Sequence, residues 1–147
     1  MIRAADLADL AALLEVERAC FGADAWSDHV WQSELAGSHV IDVMANGESL
    51  TGFAIVMLAG DDAELLRIAV APASRRSGIA QRLMAHALER ALAQGVTSMF
   101  LEVESTNVAA LGLYETSGFA PIHQRANYYG PGRDAVMMTR ALAKVQA

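Results

Sequence analysis

Only one cysteine, Cys20, occurs in the chain, so no internal disulfide can form and the fold must rest on its own core. That scarcity suits a reducing compartment. The opening stretch, MIRAADLADL, carries acids where a signal peptide would need basic and apolar residues, and the expected location is the cytoplasm. Three prolines, no repeat and no low-complexity stretch leave nothing that reads as a linker. Residues 1–147 are expected to form one domain able to bury a core. No apolar run reaches the about 20 residues that a membrane-spanning helix needs. Positive charge is scarce too: 11 Lys and Arg stand against 17 Asp and Glu, a net charge of −6 that argues against a general nucleic-acid binder. Neither nucleic acid nor membrane is an expected partner. The histidines His29, His39, His86 and His123 are scattered and make no ligand pair with Cys20, so no metal site is expected. Gly-x-Ser-x-Gly and Gly-x-x-x-x-Gly-Lys-Ser/Thr are both absent, which removes the nucleophile elbow and the Walker-type phosphate loop.

What positive charge there is clusters. Arg67, Arg75, Arg76 and Arg82, four of the 11 basic residues, fall within 16 positions, which points to an anionic ligand there. Arg75-Arg76-Ser77-Gly78-Ile79-Ala80 lies between an expected strand, Leu65 to Val70, and an expected helix running to about Gln94. The first N–H groups of a helix have no intrahelical partner, and the helix dipole adds positive charge at that end. Two arginines and a glycine that lets a ligand approach the main chain complete a pyrophosphate cradle. An ordinary solvated loop holding two arginines is the plainer alternative.

The remaining pattern alternates helices and strands. Asp6 and Ser27 can each cap a helix, the second ending at Gly37. Val40 to Ala45 and Ser49 to Leu58 read as strands joined at Asn46-Gly47, with Glu64 to Val70 as a third and residues 1–3 as a short strand at the start. Ile79, Leu83, Ala87 and Ala91 recur every four residues, a helix stripe that stops at Gly95. Ser98 to Val103 reads as a strand, Asn107 as the cap of a helix through Glu115, and Phe119 to Gln124 and Ala135 to Arg140 as a last strand pair around an aromatic loop, Asn127 to Gly132. The expected fold class is α/β, a mixed sheet with no strict βαβ repeat.

Arg75 to Ala80 matches the motif Gln/Arg-x-x-Gly-x-Gly/Ala, and with this element order the chain resembles the GNAT family of N-acetyltransferases over nearly its whole length. Within that family it is most similar to the enzymes that acetylate the N-terminal alanine of a small-subunit ribosomal protein. The segments that carry the likeness are Ala25-Trp26-Ser27, Ile68-Ala69-Val70, Leu101-Glu102-Val103, Ser105-Thr106-Asn107, Leu113 to Phe119, and Arg125-Ala126-Asn127-Tyr128-Tyr129. Ala25 stands where the family often has proline, and Ala80 where close relatives carry glycine. The resemblance implies a mostly antiparallel twisted sheet with about four helices. It implies acetyl-CoA as co-substrate, held by Ile68, Ala69, Val70, by Arg75, Arg76, Ser77, Gly78, Ile79, Ala80 and Gln81, and by Asn107. It further implies Glu102 as general base, Tyr114 as general acid, and Tyr128, Tyr129 and Arg125 as substrate contacts, the partner being a protein or peptide N-terminus, a ribosomal protein above all.

Read from the residues alone, these roles compete with plainer ones. Phe100, Glu102 and Glu104 share one strand face, which a merely solvated face also explains. Tyr114, seven residues after Asn107 and so on the same side of its helix, also fits a core tyrosine. Asn107 also fits a cap alone, and Tyr128-Tyr129 a partner patch. An α-amine titrates near about 8 and a lysine near about 10.4, so a carboxylate base serves an N-terminus more cheaply, by about 3–4 kcal/mol. Transfer to a lysine or a small amine, and a catalytically silent acyl-CoA-binding module, are the competing functions.

Overall fold

A computed structural model describes residues 1–142. In chain order the elements are β1 (Ile2–Ala4), α1 (Leu10–Phe21), α2 (Asp28–Ala36), β2 (Val40–Asn46), β3 (Ser49–Ala59), β4 (Asp62–Val70), α3 (Ile79–Ala93), β5 (Ser98–Glu104), α4 (Val108–Thr116), β6 (Ala120–Gly130) and β7 (Arg133–Ala141). The strands form one sheet in the order β1-β2-β3-β4-β5-β7-β6. Every described pairing is antiparallel except β4 with β5. The expected mixed sheet with about four helices is therefore what forms.

Local chemistry sets most boundaries. Asp6 accepts the Ala8 N–H at 2.9 Å and Asp9 returns the favour to the Asp6 N–H at 2.9 Å, a reciprocal cap that starts a 3-10 turn leading into α1. Ser27 caps α2 through the Val30 N–H, and Asn107 caps α4 through the Ala110 N–H at 3.2 Å. Two apolar layers hold the helices to the sheet. Leu13, Leu14 and Val16 of α1 and Trp31 of α2 pack with Ile41, Val43, Phe53 and Ile55 on one face. Ile79, Leu83, Met84, Ala87 and Ala91 of α3 and Tyr114 of α4 pack with Val56, Leu65, Met99, Leu101 and Met138 on the other. The four-residue stripe of α3 is thus its buried stripe.

Two expectations need correcting. The β2–β3 turn is Gly47-Glu48, because Asn46 pairs with Ser49, and Gly47 takes the positive φ of 65°. The aromatic segment from Asn127 is mostly strand: β6 continues to Gly130. Asn127 adopts φ 59° and shifts the register between Arg125 and Gly130. Its N–H donates to Asp134 Oδ1 at 2.9 Å and its Oδ1 accepts the Gly132 N–H at 2.7 Å, so the kink is hydrogen-bonded in place.

Candidate active site

The site begins with a strand pair that comes apart. β4 and β5 run in register only over Asp62 with Ser98, Ala63 with Met99 and Glu64 with Phe100. Beyond that, β4 stays with β3 as far as Val70, and β5 stays with β7 as far as Glu104. The facing edges of the two strands are left unpaired, the edge of β4 carrying Ile68, Ala69 and Val70. Their side chains belong to the two apolar layers, Ile68 and Val70 to one and Ala69 to the other, so only main chain is offered to the opening.

One wall of the opening is the start of α3. The first helical bond runs from the Arg82 N–H to the Gly78 carbonyl, which leaves the N–H groups of Ile79, Ala80 and Gln81 without a helical partner. Gly78 has φ 80°, and a Cβ built there would meet no protein atom within 4 Å. The glycine therefore answers to conformation, and the space beside it is open. Arg76 also takes a left-handed φ of 65°, a costly state for a side chain of that size. Ser77 Oγ–H donates to the Ser74 carbonyl at 2.5 Å and steadies the turn. These residues fit a diphosphate: an open cradle of unpartnered N–H groups beside exposed cations.

The basic cluster of the sequence is divided by the fold. Arg75 turns back, its Nε–H donating to the Val70 carbonyl at 3.1 Å and its Nη2 lying 3.5 Å from Cys20 Sγ, which ties the loop to the end of β4. Arg67 belongs to a different neighbourhood, paired with Glu17 of α1. Arg76 and Arg82 remain exposed.

Glu102 sits on β5, where Met99, Leu101 and Val103 are buried and Phe100, Glu102 and Glu104 face the other way. That other face is covered by α1 and α2 only over β2 to β4. A cavity of about 200 Å³ lies there, lined by Met57, Glu64, Phe100, Glu102 and Met137 among others. Glu102 Oε2 is buried with no hydrogen-bond partner. Glu64 lines the same cavity; burial, and then the charge of Glu102, push its carboxyl above the usual range, while Arg125 opposes them. Glu104 is spent elsewhere, bound by Arg133 through Nε at 3.0 Å and Nη2 at 2.8 Å, with Asp24 on the same Nη2 at 3.0 Å.

Tyr114 is 8 % exposed, edge-on to Phe119 at 6.1 Å. Burial, with a smaller contribution from Tyr129, pushes its phenol up to about 12. Tyr129 lies within Coulombic reach of Tyr114, Glu102, Glu104 and Arg67, and burial followed by Glu102 raises its phenol to about 12 as well. Tyr128 and Tyr129 are exposed, edge-on to each other at 5.0 Å, with Arg125 5.3 Å above the Tyr128 ring. Tyr129 is thus within Coulombic reach of both Tyr114 and Glu102, and Arg125 of Glu64. Asn107 is exposed, with its Oδ1 committed to capping and its amide N–H₂ left for a ligand.

Sequence reasoning missed Glu64, Glu17 and Arg133. Glu64 did carry a signal, a charged residue between buried Ala63 and Leu65. Glu17 and Arg133 carried none, since their partners lie 50 and 29 residues away. Among the described residues no group of three or more His, Cys, Asp and Glu is arranged to hold a metal ion, and no helix is long and apolar enough to cross a membrane.

A mixed sheet split between two strands, with a helix N-terminus on one side of the split and an unpaired carboxylate on the other, defines an acyl-transferring enzyme of the N-acetyltransferase class. The chain belongs to the acetyltransferase (GNAT) family, whose model matches residues 9–119. It is 32% identical over 140 residues to the [ribosomal protein bS18]-alanine N-acetyltransferase of Escherichia coli K12, covering 93% of this chain and 94% of that one. The crystal structure of the Escherichia coli ribosomal-protein-S18-alanine N-acetyltransferase superposes with a TM-score of 0.90 at 29% identity, over 99% of this chain and 96% of that one. The fold is also that of the Salmonella typhimurium protein yncA, solved with its cofactor acetyl-CoA, at a TM-score of 0.80 and 23% identity over 100% of this chain and 96% of that one.

Proposed function

We propose that the chain transfers an acetyl group from acetyl-CoA to the α-amine of an N-terminal alanine, with a small-subunit ribosomal protein in the cytoplasm as acceptor. The observation that carries this reading is the buried, unpartnered Oε2 of Glu102, two residues past the last pair that β5 makes with β4. Bound acetyl-CoA supplies a thioester-activated acetyl group. The Ile79, Ala80 and Gln81 N–H groups, with Arg76 beside them, hold its diphosphate, and Asn107 and the free edge at Ile68, Ala69 and Val70 hold its pantetheine arm. Ser77 and Gly78 shape the turn, and Arg75 holds the turn against β4.

Glu102 accepts the proton that the acceptor ammonium must lose. An α-amine near about 8 needs little help, whereas a lysine near about 10.4 asks about 3–4 kcal/mol more, which favours the N-terminus. Tyr114 faces the departing sulfur. Its phenol at about 12 lies about 3.5 units above an ordinary thiol. Handing over its own proton outright would be uphill by about 5 kcal/mol, so the hydroxyl stabilises the sulfur as a hydrogen-bond donor while the C–S bond breaks, and the thiolate takes up the second proton that the attacking nitrogen sheds as it becomes the amide. Tyr128 and Tyr129 line the acceptor path and exclude water, and Arg125 braces Tyr128.

The test pairs two hexapeptides, one beginning with a free alanine and one N-blocked with an internal lysine. Acetyl transfer to the first and not the second is expected; transfer to the blocked peptide alone defeats the reading.

A further inference from the structure

Glu17 is fully buried on α1. Its Oε2 accepts the Trp26 N–H at 2.7 Å and an Arg67 Nη1–H. Arg67 Cζ lies 4.0 Å from the Phe21 ring centre and 4.4 Å from that of Trp26. Trp26 leans on Trp31 at 5.6 Å, and Trp31 on Phe53 of β3 at 5.0 Å. The connection from Gly22 to Trp26 contains no proline, so these contacts set its path. Asp24 adds a tether to β5 and β7 through Arg133 and Glu104.

The backbone explains how Arg67 reaches this place. β4 slips its register against β3 at Leu66, since Leu65 pairs with Val56 and Arg67 with Ile55. Leu65 points into the α3 layer, and strict alternation would send Arg67 there too. The extra residue turns Arg67 and Ala69 to the α1 face. There the guanidinium meets the Gly22–Trp26 connection and comes within Coulombic reach of Asp24 and Tyr129.

We infer that Arg67 is a positioning residue for the acceptor: locked by Glu17, Phe21 and Trp26, it fixes the Gly22–Trp26 connection, which Asp24 and Arg133 tether to Glu104 on the strand of Glu102, and so shapes the path to Glu102. Nothing in this places Arg67 on the reacting atoms. The inference rests on a peptide N-terminus being the acceptor.

The test measures steady-state kinetics of three variants against an alanine-led peptide. Arg67→Lys keeps a charge beside Glu17 and loses the planar stack and fork. It should raise the peptide KM about tenfold or more and leave the acetyl-CoA KM within about twofold. Arg67→Met should do the same at a cost in stability. The double variant Glu17→Leu with Arg67→Met removes the buried charge along with its partner and should regain most of the melting temperature lost by Arg67→Met. Its peptide KM should stay raised. A double variant with restored stability and a normal peptide KM overturns the inference, as does a normal peptide KM in Arg67→Lys. A wild-type chain that acetylates no peptide amine overturns the acceptor reading, and this inference with it.

Discussion

Glu64 of β4 pairs in register with Phe100 of β5, and that is the last pair the two strands make. Two residues further along β5 stands Glu102, past the point where its neighbour strand has left. The carboxylate is thus placed at the opening by topology, on a face that α1 and α2 do not cover.

Glu102→Gln keeps the shape of that position and removes the carboxylate that we propose as the proton acceptor. Turnover on an alanine-led peptide should fall by about 10²–10⁴. Acetyl-CoA binding, read by calorimetry, should stay within a few-fold of the wild type, because the cradle at α3 is untouched.

Tyr114→Phe removes the hydroxyl that we propose acts on the leaving sulfur. The expected loss is about a hundredfold in kcat with little change in acetyl-CoA affinity. The wild-type phenol also sets a pH dependence. Its folded value of about 12 stands above the ordinary value of about 10. The folded chain therefore binds this proton more tightly, and its contribution to stability is whole below about pH 10 and lost as pH rises through about 12. Tyr114→Phe should unfold less readily than the wild type across that window, followed by circular dichroism.

Gly52 and Gly78 separate packing from ligand access. A Cβ on Gly52 would lie 2.7 Å from the Ala69 carbonyl oxygen and 3.0 Å from Leu83 Cδ1. Gly52→Ala should cost about 1–3 kcal/mol in urea unfolding and weaken acetyl-CoA binding by shifting α3 away from β4. Gly78→Ala meets no protein atom and should cost only about 1–2 kcal/mol for its left-handed φ, while its methyl group fills the cradle. For Gly78→Ala the loss of acetyl-CoA affinity should outweigh the loss of stability.

Arg67→Met strands the Glu17 charge. Removing one partner of a buried pair costs about 3–5 kcal/mol near neutral pH. Burial already raises the Glu17 carboxyl, with the Trp26 N–H and Arg67 opposing. A raised carboxyl contributes its stability below the unfolded value near about 4.3 and loses it as pH climbs through the folded value. The deficit of Arg67→Met should therefore be largest at about pH 8 and shrink towards about pH 4, measured by urea unfolding at both.

The parts of this fold legible in the sequence were those decided locally. Asp6, Ser27 and Asn107 cap turns within three residues of themselves, and the stripe of α3 repeats within one helix. The end of β6 was not legible. All its residues from Ala120 to Tyr129 are exposed, so no alternation marks the strand, and Gly130, Pro131 and Gly132 read as a loop. The ladder from β7 decides it. At the site, the motif Arg75 to Ala80 marked the turn into α3, but not that Arg75 would turn to the Val70 carbonyl. The bulge at Leu66 was silent as well, and with it the partnership of Glu17 and Arg67, because a one-residue slip reverses which face a side chain takes.

The most direct test is tandem mass spectrometry of an alanine-led peptide with an internal lysine, incubated with acetyl-CoA and either the wild-type chain or Glu102→Gln. One acetyl group on the α-nitrogen, formed rapidly by the wild type and slowly by the variant, is the expected result. Acetyl on the lysine Nζ, or equal rates from the two chains, would contradict it.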